Sequence, residues 1–320
     1  LRKGVPGLPP AHVPEELFIH SSPTMSSRPP ATPAHTETDS QPIHNRDAMP
    51  RRVELGGGLP LVTRLGLATR GNTSLAPEDV TLAVERGVNY LNWCGYDDGI
   101  AKALRGGLID RERVAVAMQL DARDAASAER ELEDAFRTLR THRIDVVTFY
   151  YVERKREWDQ ITSGDGALHF LEEAKKQGRV GLIGLTTHQR KLAAACAEEK
   201  KLDLLMVRYN AAHRGAEQDV FPVAERLRMP VVVYTAQRWG ALRRKTHDDP
   251  PEFTPPAATE WYRFALVHPA VSVVLMAPNG RRELEQNLKL LDDWRPPTAA
   301  EFKVMAQHGL RVRKNAGRFP

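Results

Sequence analysis

From residue 51 onward the chain alternates short apolar runs with amphipathic stretches. Residues 51–55, Gly56-Gly57-Gly58 and residues 60–62 read as a β-hairpin closed by a glycine turn. Residues 65–69 form a short apolar strand. Pro77, Glu78 and Asp79 then open a helix over 77–86, because proline suits the first helical position and carboxylates complement the positive end of the helix dipole. The pattern continues with a strand at 89–93, a helix at 98–104, a strand at 114–118 and a strongly patterned helix at 125–139. Residues 144–151, rich in β-branched and aromatic side chains, are a buried strand. A helix over 167–177 stops at Gly178. Strands at 180–185, 204–208, 230–234 and 271–276 then alternate with helices at 188–200, 219–228 and 257–267, and helices at 281–291 and 298–313 close the chain.

The strands are short and apolar on both faces, as a parallel sheet covered by helices requires. A doubly wound open sheet also alternates, but it usually carries a glycine-rich phosphate loop after its first strand. Ala68-Thr69-Arg70-Gly71-Asn72 is not such a loop. Eight strand–helix units instead predict an α/β fold, a (β/α)8 TIM barrel with an N-terminal β-hairpin and an extra C-terminal helix. Chemistry in such barrels sits at the C-terminal ends of the strands. That directs attention to residues 92–96, 119, 150–153, 186–188, 208–213, 234–239 and 277–282.

Residues 1–48 differ in kind, with nine prolines, many Ser, Thr and His, and almost no apolar periodicity. Such a segment buries too little surface to offset the entropy of ordering. It is predicted to be a disordered Pro-rich leader, and without an apolar stretch it is not an export signal. Met49 marks the start of the globular part, so the barrel is assigned to 49–320. A net charge of +5 over 320 residues does not call for nucleic acid. The apolar runs fall far short of the ~20 residues that cross a bilayer. Two cysteines, Cys94 and Cys196, show no paired or metal-ligand spacing, which fits a reducing, cytoplasmic compartment and no metal site.

Five segments, in order, resemble the aldo-keto reductases across roughly residues 51–315. They are the hairpin with Arg64-Leu65-Gly66-Leu67-Ala68-Thr69, then Ala83-Val84-Glu85-Arg86-Gly87-Val88-Asn89-Tyr90-Leu91, then Gly178-Arg179-Val180-Gly181-Leu182-Ile183-Gly184-Leu185. Ser272-Val273-Val274-Leu275 and Glu283-Leu284-Glu285-Gln286-Asn287-Leu288 complete the series. The resemblance implies NADP(H)-linked reduction of a small carbonyl substrate, an aldehyde or ketone, to an alcohol.

The family's catalytic set is Asp, Tyr, Lys and His, and most of it is replaced. Asn92 stands at the aspartate position, Gln119 at the lysine and Tyr150 at the histidine. Tyr96 matches the tyrosine, but it follows Asn92 by four residues where the family's spacing is five. In the family the tyrosine gives its proton to the carbonyl oxygen. A phenol with an ordinary pKa of ~10 is a weak acid, and neither Asn92 nor Gln119 carries the charge that would strengthen it. The two amides can instead hydrogen-bond to each other and to Tyr96, and Tyr150 can bond a carbonyl oxygen.

The resemblance also implies cofactor positions. Thr186 and Thr187 replace the Ser-Asn pair that holds the nicotinamide carboxamide, and Met206 replaces a glutamine at the same amide. Tyr234 matches the aromatic that stacks on nicotinamide, and Asn287 a residue at adenine. The basic residues for the 2′-phosphate align with Ala277 and Glu283, with Arg281 and Arg282 adjacent. His188 and His213 follow strands five and six and offer an acid for a rebuilt site, against a plainer reading as solvated loop histidines. Cys94 lacks a nearby histidine in sequence to make it a nucleophile. Arg311 to Lys314 read as a solvated helix end. Three functions follow: a weakened or re-specialised reductase, a non-catalytic or regulatory nucleotide-binding barrel, and a non-redox enzyme on the same scaffold.

Overall fold

A computed structural model describes residues 49–69 and 74–315. The predicted leader at 1–48 lies outside the described residues. Eight parallel strands close into a barrel: β1 (Leu65–Ala68), β2 (Tyr90–Trp93), β3 (Ala115–Leu120), β4 (Ile144–Phe149), β5 (Val180–Thr187), β6 (Leu204–Arg208), β7 (Val231–Tyr234) and β8 (Val271–Met276). They follow chain order, and β8 returns to β1 with Leu275 opposite Gly66. This is the predicted (β/α)8 barrel. Its predicted hairpin is there as well, with Arg52–Val53 antiparallel to Val62–Thr63.

A period of two sorts the strand residues. Tyr90, Ala115, Ala117, Val146, Leu182, Leu204, Met206, Val232, Tyr234, Val273 and Leu275 form one buried cluster with Leu55, Leu59 and Val62 of the hairpin region. The alternate residues, such as Leu91, Val116, Val147, Ile183, Leu205 and Val274, pack with the helices in the other. Each fully buried Val or Leu contributes roughly 1.5–3 kcal/mol, which fixes the register, since a slip of one residue exchanges the two sets. The hairpin turn lies against this inner cluster. Gly57 has φ +62°, and a Cβ there would meet Leu182 Cδ2 at 2.5 Å, so both backbone and space demand glycine.

The helices are α1 (Pro77–Glu85), α2 (Gly99–Arg105), α3 (Ala125–Leu139), α4 (Lys155–Ile161), α5 (Ala167–Lys176), α6 (Arg190–Glu198), α7 (Ala216–Asp219), α8 (Phe221–Leu227), α9 (Ala258–Leu266), α10 (Arg281–Leu288) and α11 (Ala299–Asn315). Side-chain caps fix two starts: Asp98 accepts from the Ala101 N–H at 3.0 Å and Asp124 from the Ser127 N–H at 2.8 Å. Among the described residues no helix is long and apolar enough to cross a membrane.

The differences from expectation are local. Helix α4 was not predicted, because seven residues carry only Trp158 and Ile161 as an apolar stripe. The predicted helix at 219–228 is α8, preceded by the short unpredicted α7 and set off from it at Val220, where Pro222 can donate no hydrogen bond back into α7. Strand β5 runs two residues further than predicted, so Thr186 and Thr187 belong to the sheet and pair with Met206 and Val207. The C-terminal basic residues are not simply a solvated helix end. Arg311 bonds buried Asp249 at 2.6 Å and Lys314 pairs with Asp248 at 3.0 Å.

Candidate active site

Strand parity brings a set of side chains to the C-terminal mouth of the barrel. Asn92 lies two residues beyond inward Tyr90, Gln119 two beyond Ala117, and Arg208 two beyond Met206. Thr186 pairs with Met206, and Arg208 with Tyr234, so β5, β6 and β7 deliver neighbouring residues to one rim.

Asn92 is buried; its Nδ2 donates to Cys94 Sγ at 3.4 Å, and its Oδ1 finds no hydrogen-bond partner among the described residues. Gln119 reaches across the barrel, with Nε2 4.0 Å from the Met206 thioether. The structure therefore pairs Asn92 with Cys94 and Gln119 with Met206, where the sequence offered bonds between the two amides and to Tyr96. Tyr96 is 57 % exposed. Its backbone carbonyl accepts the Trp93 indole N–H at 2.7 Å, which anchors the loop after β2.

Tyr150 is half-buried and stacks on Tyr151, with ring centroids 4.0 Å apart. Tyr151 in turn packs on His188 at 4.4 Å, and His188 sets its edge towards Tyr234 at 6.0 Å. An aromatic file thus crosses the mouth from β4 to β7. Glu153 holds it in place, accepting from the His188 N–H at 2.9 Å and the Gln189 side chain at 3.0 Å, with His188 Nδ1 3.1 Å away. Burial pushes the Glu153 carboxyl up, but these bonds outweigh it and hold the group below the ordinary glutamate range. Backbone strain gathers here too: Tyr151, Thr235, Arg238 and Trp239 all have positive φ, unusual for side chains of this bulk.

Tyr234 is buried, its hydroxyl 3.5 Å from the Thr187 carbonyl, and burial drives its phenol well above the ordinary tyrosine range. A phenol raised in this way is a weaker acid than an ordinary tyrosine. Thr187 Oγ1 accepts from the Gln189 N–H at 2.9 Å, whereas Thr186 Oγ1 is buried with no partner among the described residues. His213 stands with Nδ1 3.2 Å from Asn210 Oδ1. Beyond β8, Arg281 pairs with Asp79 at 2.6 Å and Arg282 is exposed. Glu283 accepts from the Asn279 N–H at 2.9 Å and pairs with Arg243 at 3.2 Å. Asn287 is buried and accepts from Gln237 at 3.4 Å.

Beside the mouth, between the ends of β5 and β6, a cleft of about 780 Å3 opens towards α6 and α11. Its lining includes Glu153 and Arg208, both within the strand-end ranges that the pattern singles out, and Arg190 and Arg313, to which the pattern assigns no ligand. The legible signal was an arginine at inward parity ending the apolar run 204–208. Among the described residues no cluster of three or more His, Cys, Asp or Glu is placed to hold a metal.

Comparison with known proteins agrees with this architecture. An aldo-keto reductase from Bacillus halodurans in its apo form superposes with a TM-score of 0.65 at 19 % identity, covering 82 % of this chain and 95 % of that one. The glycerol dehydrogenase from Gluconobacter oxydans gives 0.63 at 17 % identity, covering 84 % and 97 %. At these identities the likeness concerns the fold. Pyridoxal 4-dehydrogenase from Microbacterium luteolum is 26 % identical over 155 residues, 41 % of this chain. The match spans less than half of that relative's length, 45 %. The model of the Aldo/keto reductase family matches residues 63–261, well over half of the sequence. The chain belongs to the Aldo/keto reductase family.

Proposed function

We propose that this barrel reduces the carbonyl of a small aldehyde or ketone to an alcohol with NADP(H), at a site re-specialised from the family's charged tetrad. One observation carries the proposal. Two buried oxygens without partners among the described residues, Asn92 Oδ1 and Thr186 Oγ1, lie at the same barrel end as the ring of Tyr234. A buried polar atom without a partner costs about 1–3 kcal/mol, and a ligand bringing donors to this mouth removes that cost.

The residues fit a nicotinamide best. Thr186 and Thr187 would hold its carboxamide, and Tyr234 would flank its ring with a flat buried face. Asn287 would meet the adenine. The 2′-phosphate would fall to Arg282 and to Arg281, which must share its charge with Asp79. When bound, the cofactor supplies a hydride to the carbonyl carbon, and a proton from the protein completes the alcohol. Tyr96 is the proposed donor, with Asn92, Gln119 and Tyr150 around the oxygen. No charge on Asn92 or Gln119 strengthens that phenol, so slow turnover is expected. His188, oriented by Glu153, is the competing acid.

The exposure of Tyr96 favours a second reading, a barrel that binds the nucleotide without turning it over. One experiment separates the two. Purified protein is titrated with NADPH and, in parallel, NADH while nicotinamide fluorescence is followed, and consumption is then measured with a panel of aldehydes. Binding with consumption supports the reductase. Binding without consumption leaves the sensing barrel, and no binding of either nucleotide removes both.

A further inference from the structure

We propose that the cleft between β5 and β6 is an anion-binding site, and that the carbonyl compound reduced at the mouth carries a carboxylate or phosphate seated in it. The second half rests on the reductase reading above; the first does not.

The charge balance of the cleft is the first ground. Among the described residues four cations besides Lys155 line it, Arg190, Lys191, Arg208 and Arg313, against two carboxylates, Glu153 and Asp219. Lys155 also reaches the rim but turns away to Asp159 and Glu199. Both carboxylates are committed within the chain. Glu153 serves the His188 N–H, the His188 ring and Gln189, while Asp219 pairs with Arg190 at 3.2 Å. Among the described lining residues cations thus outnumber carboxylates even with Lys155 set aside. Guanidinium groups suit carboxylate and phosphate because they offer paired donors in one plane.

The field at His213 is the second ground. Burial, and then the guanidinium groups of Arg208, Arg238, Arg313 and Arg190, push its imidazole down to about 4. Four arginines from β6, the loop after β7, α11 and α6 thus act on one ring, which is neutral at pH 7. Charges brought together from four parts of the chain repel one another, and a bound anion offsets that repulsion.

Position is the third. Arg208 ends β6 in register with Tyr234, and Thr187 lines the cleft one residue after Thr186. An anion held by Arg208 is one strand from the ring proposed to flank the nicotinamide. The cofactor's 2′-phosphate is assigned to the far side of the mouth, after β8. A volume of about 780 Å3 suits a small molecule.

The test uses the full chain and two readouts. Inorganic phosphate and succinate are titrated by calorimetry at low salt into wild type, Arg208→Gln, Arg313→Gln and Arg113→Gln, the last an exposed arginine before β3 at the other barrel end. Each cleft variant should weaken binding roughly tenfold, and Arg113→Gln should not, with melting temperatures confirming that all four fold. NADPH consumption is then compared for succinic semialdehyde against butanal, and for glyceraldehyde 3-phosphate against glyceraldehyde. An anionic member favoured roughly tenfold in kcat/KM, with the advantage lost in Arg208→Gln, is the expected result. No anion binding, or equal weakening by Arg113→Gln, overturns the site. Phosphate that competes with NADPH, with NADPH affinity lost in Arg208→Gln, assigns the cleft to the cofactor and overturns it as well. Equal rates on neutral and anionic partners overturn the substrate class while the reductase stands. Anion binding with no NADPH consumed on any carbonyl overturns the reductase and leaves the site.

Discussion

Arg190 lays its guanidinium across Gly215, where a Cβ on the glycine would overlap it. Gly215 has φ −60°, so alanine fits the backbone and only the arginine is in the way. That obstacle is the far end of a flexible side chain and can move. Gly215→Ala should therefore leave the melting temperature within about 2 °C of wild type, because no packed core atom is displaced. Arg190 should swing off Asp219, and phosphate binding in calorimetry should change by a factor of about three. Unchanged binding would show that Arg190 contributes nothing to the cleft.

His213 offers a pH signature. Its folded pKa of about 4 lies below the ordinary value of 6.5, so the unfolded chain takes up the proton first as pH falls. The group is neutral in both states above about pH 6.5 and affects stability there not at all. Stability should fall as pH drops from about 6.5 to about 4, and His268, lowered to about 4 chiefly by burial, acts in the same direction. Phosphate in the cleft should raise the His213 pKa by roughly one unit, since an anion offsets the arginine field. Histidine NMR titrations with and without phosphate check this; coincident curves would contradict it.

The barrel was legible because each strand is apolar on both faces and each helix between carries its own stripe. Strands 204–208 and 271–276 and helix Ala125–Leu139 have the ends the pattern predicted. Topology alone then placed Asn92, Gln119, Thr186 and Tyr234 at one mouth. What escaped was contact between distant residues. Glu153 and His188 lie 35 positions apart on neighbouring strand ends, and Arg190 and Gly215 lie 25 apart on different helices. Nor could spacing reveal that Tyr96 is largely exposed, since that depends on how the loop after β2 leaves the barrel.

Asp145 tests the scaffold beneath the site. Its buried carboxylate accepts from the Val116 N–H at 2.7 Å and pairs with Arg111 at 2.7 Å and Arg143 at 2.5 Å. Both arginines are partly exposed and can return to water, so the loss is smaller than for a fully buried pair. Asp145→Ala should cost about 2–3 kcal/mol in denaturant unfolding, most of it from the orphaned Val116 N–H and the lost charge-assisted bonds. A loss below about 0.5 kcal/mol would mean the cluster is incidental.

If Tyr234 flanks the nicotinamide, Tyr234→Ala should weaken NADPH binding by about 1–2 kcal/mol, the scale of aromatic stacking together with lost contact. Tyr234→Phe keeps the ring and should bind nearly as wild type, because the hydroxyl makes only a 3.5 Å contact to the Thr187 carbonyl. Calorimetry on the three proteins decides it. Equal affinities would remove Tyr234 from the cofactor site.

The altered tetrad allows a direct test of Tyr96 as the proton donor. Asn92→Asp with Gln119→Lys would restore the charged pair expected to make the Tyr96 phenol a better acid. Gln119 reaches towards buried Met206 inside the barrel, so a lysine alone would lose hydration there and its ammonium would be destabilised. The carboxylate introduced by Asn92→Asp would supply the missing partner, once the bond from Asn92 to Cys94 is given up. The double variant should therefore raise NADPH-dependent carbonyl reduction clearly above wild type, and Gln119→Lys alone should do less. Two features oppose the gain: the loop to Tyr96 is one residue shorter than the family's, and the residue is 57 % exposed. A phenol misplaced by ~1 Å can cost about 10²-fold in rate, so the gain requires the loop to bring Tyr96 inward when substrate binds. Tyr96→Phe in the double-variant background is the control, and it should abolish the increase. A double variant that binds NADPH yet shows no increase would mean that proton delivery had passed to another group, and His188 beside Glu153 would be the next residue to change.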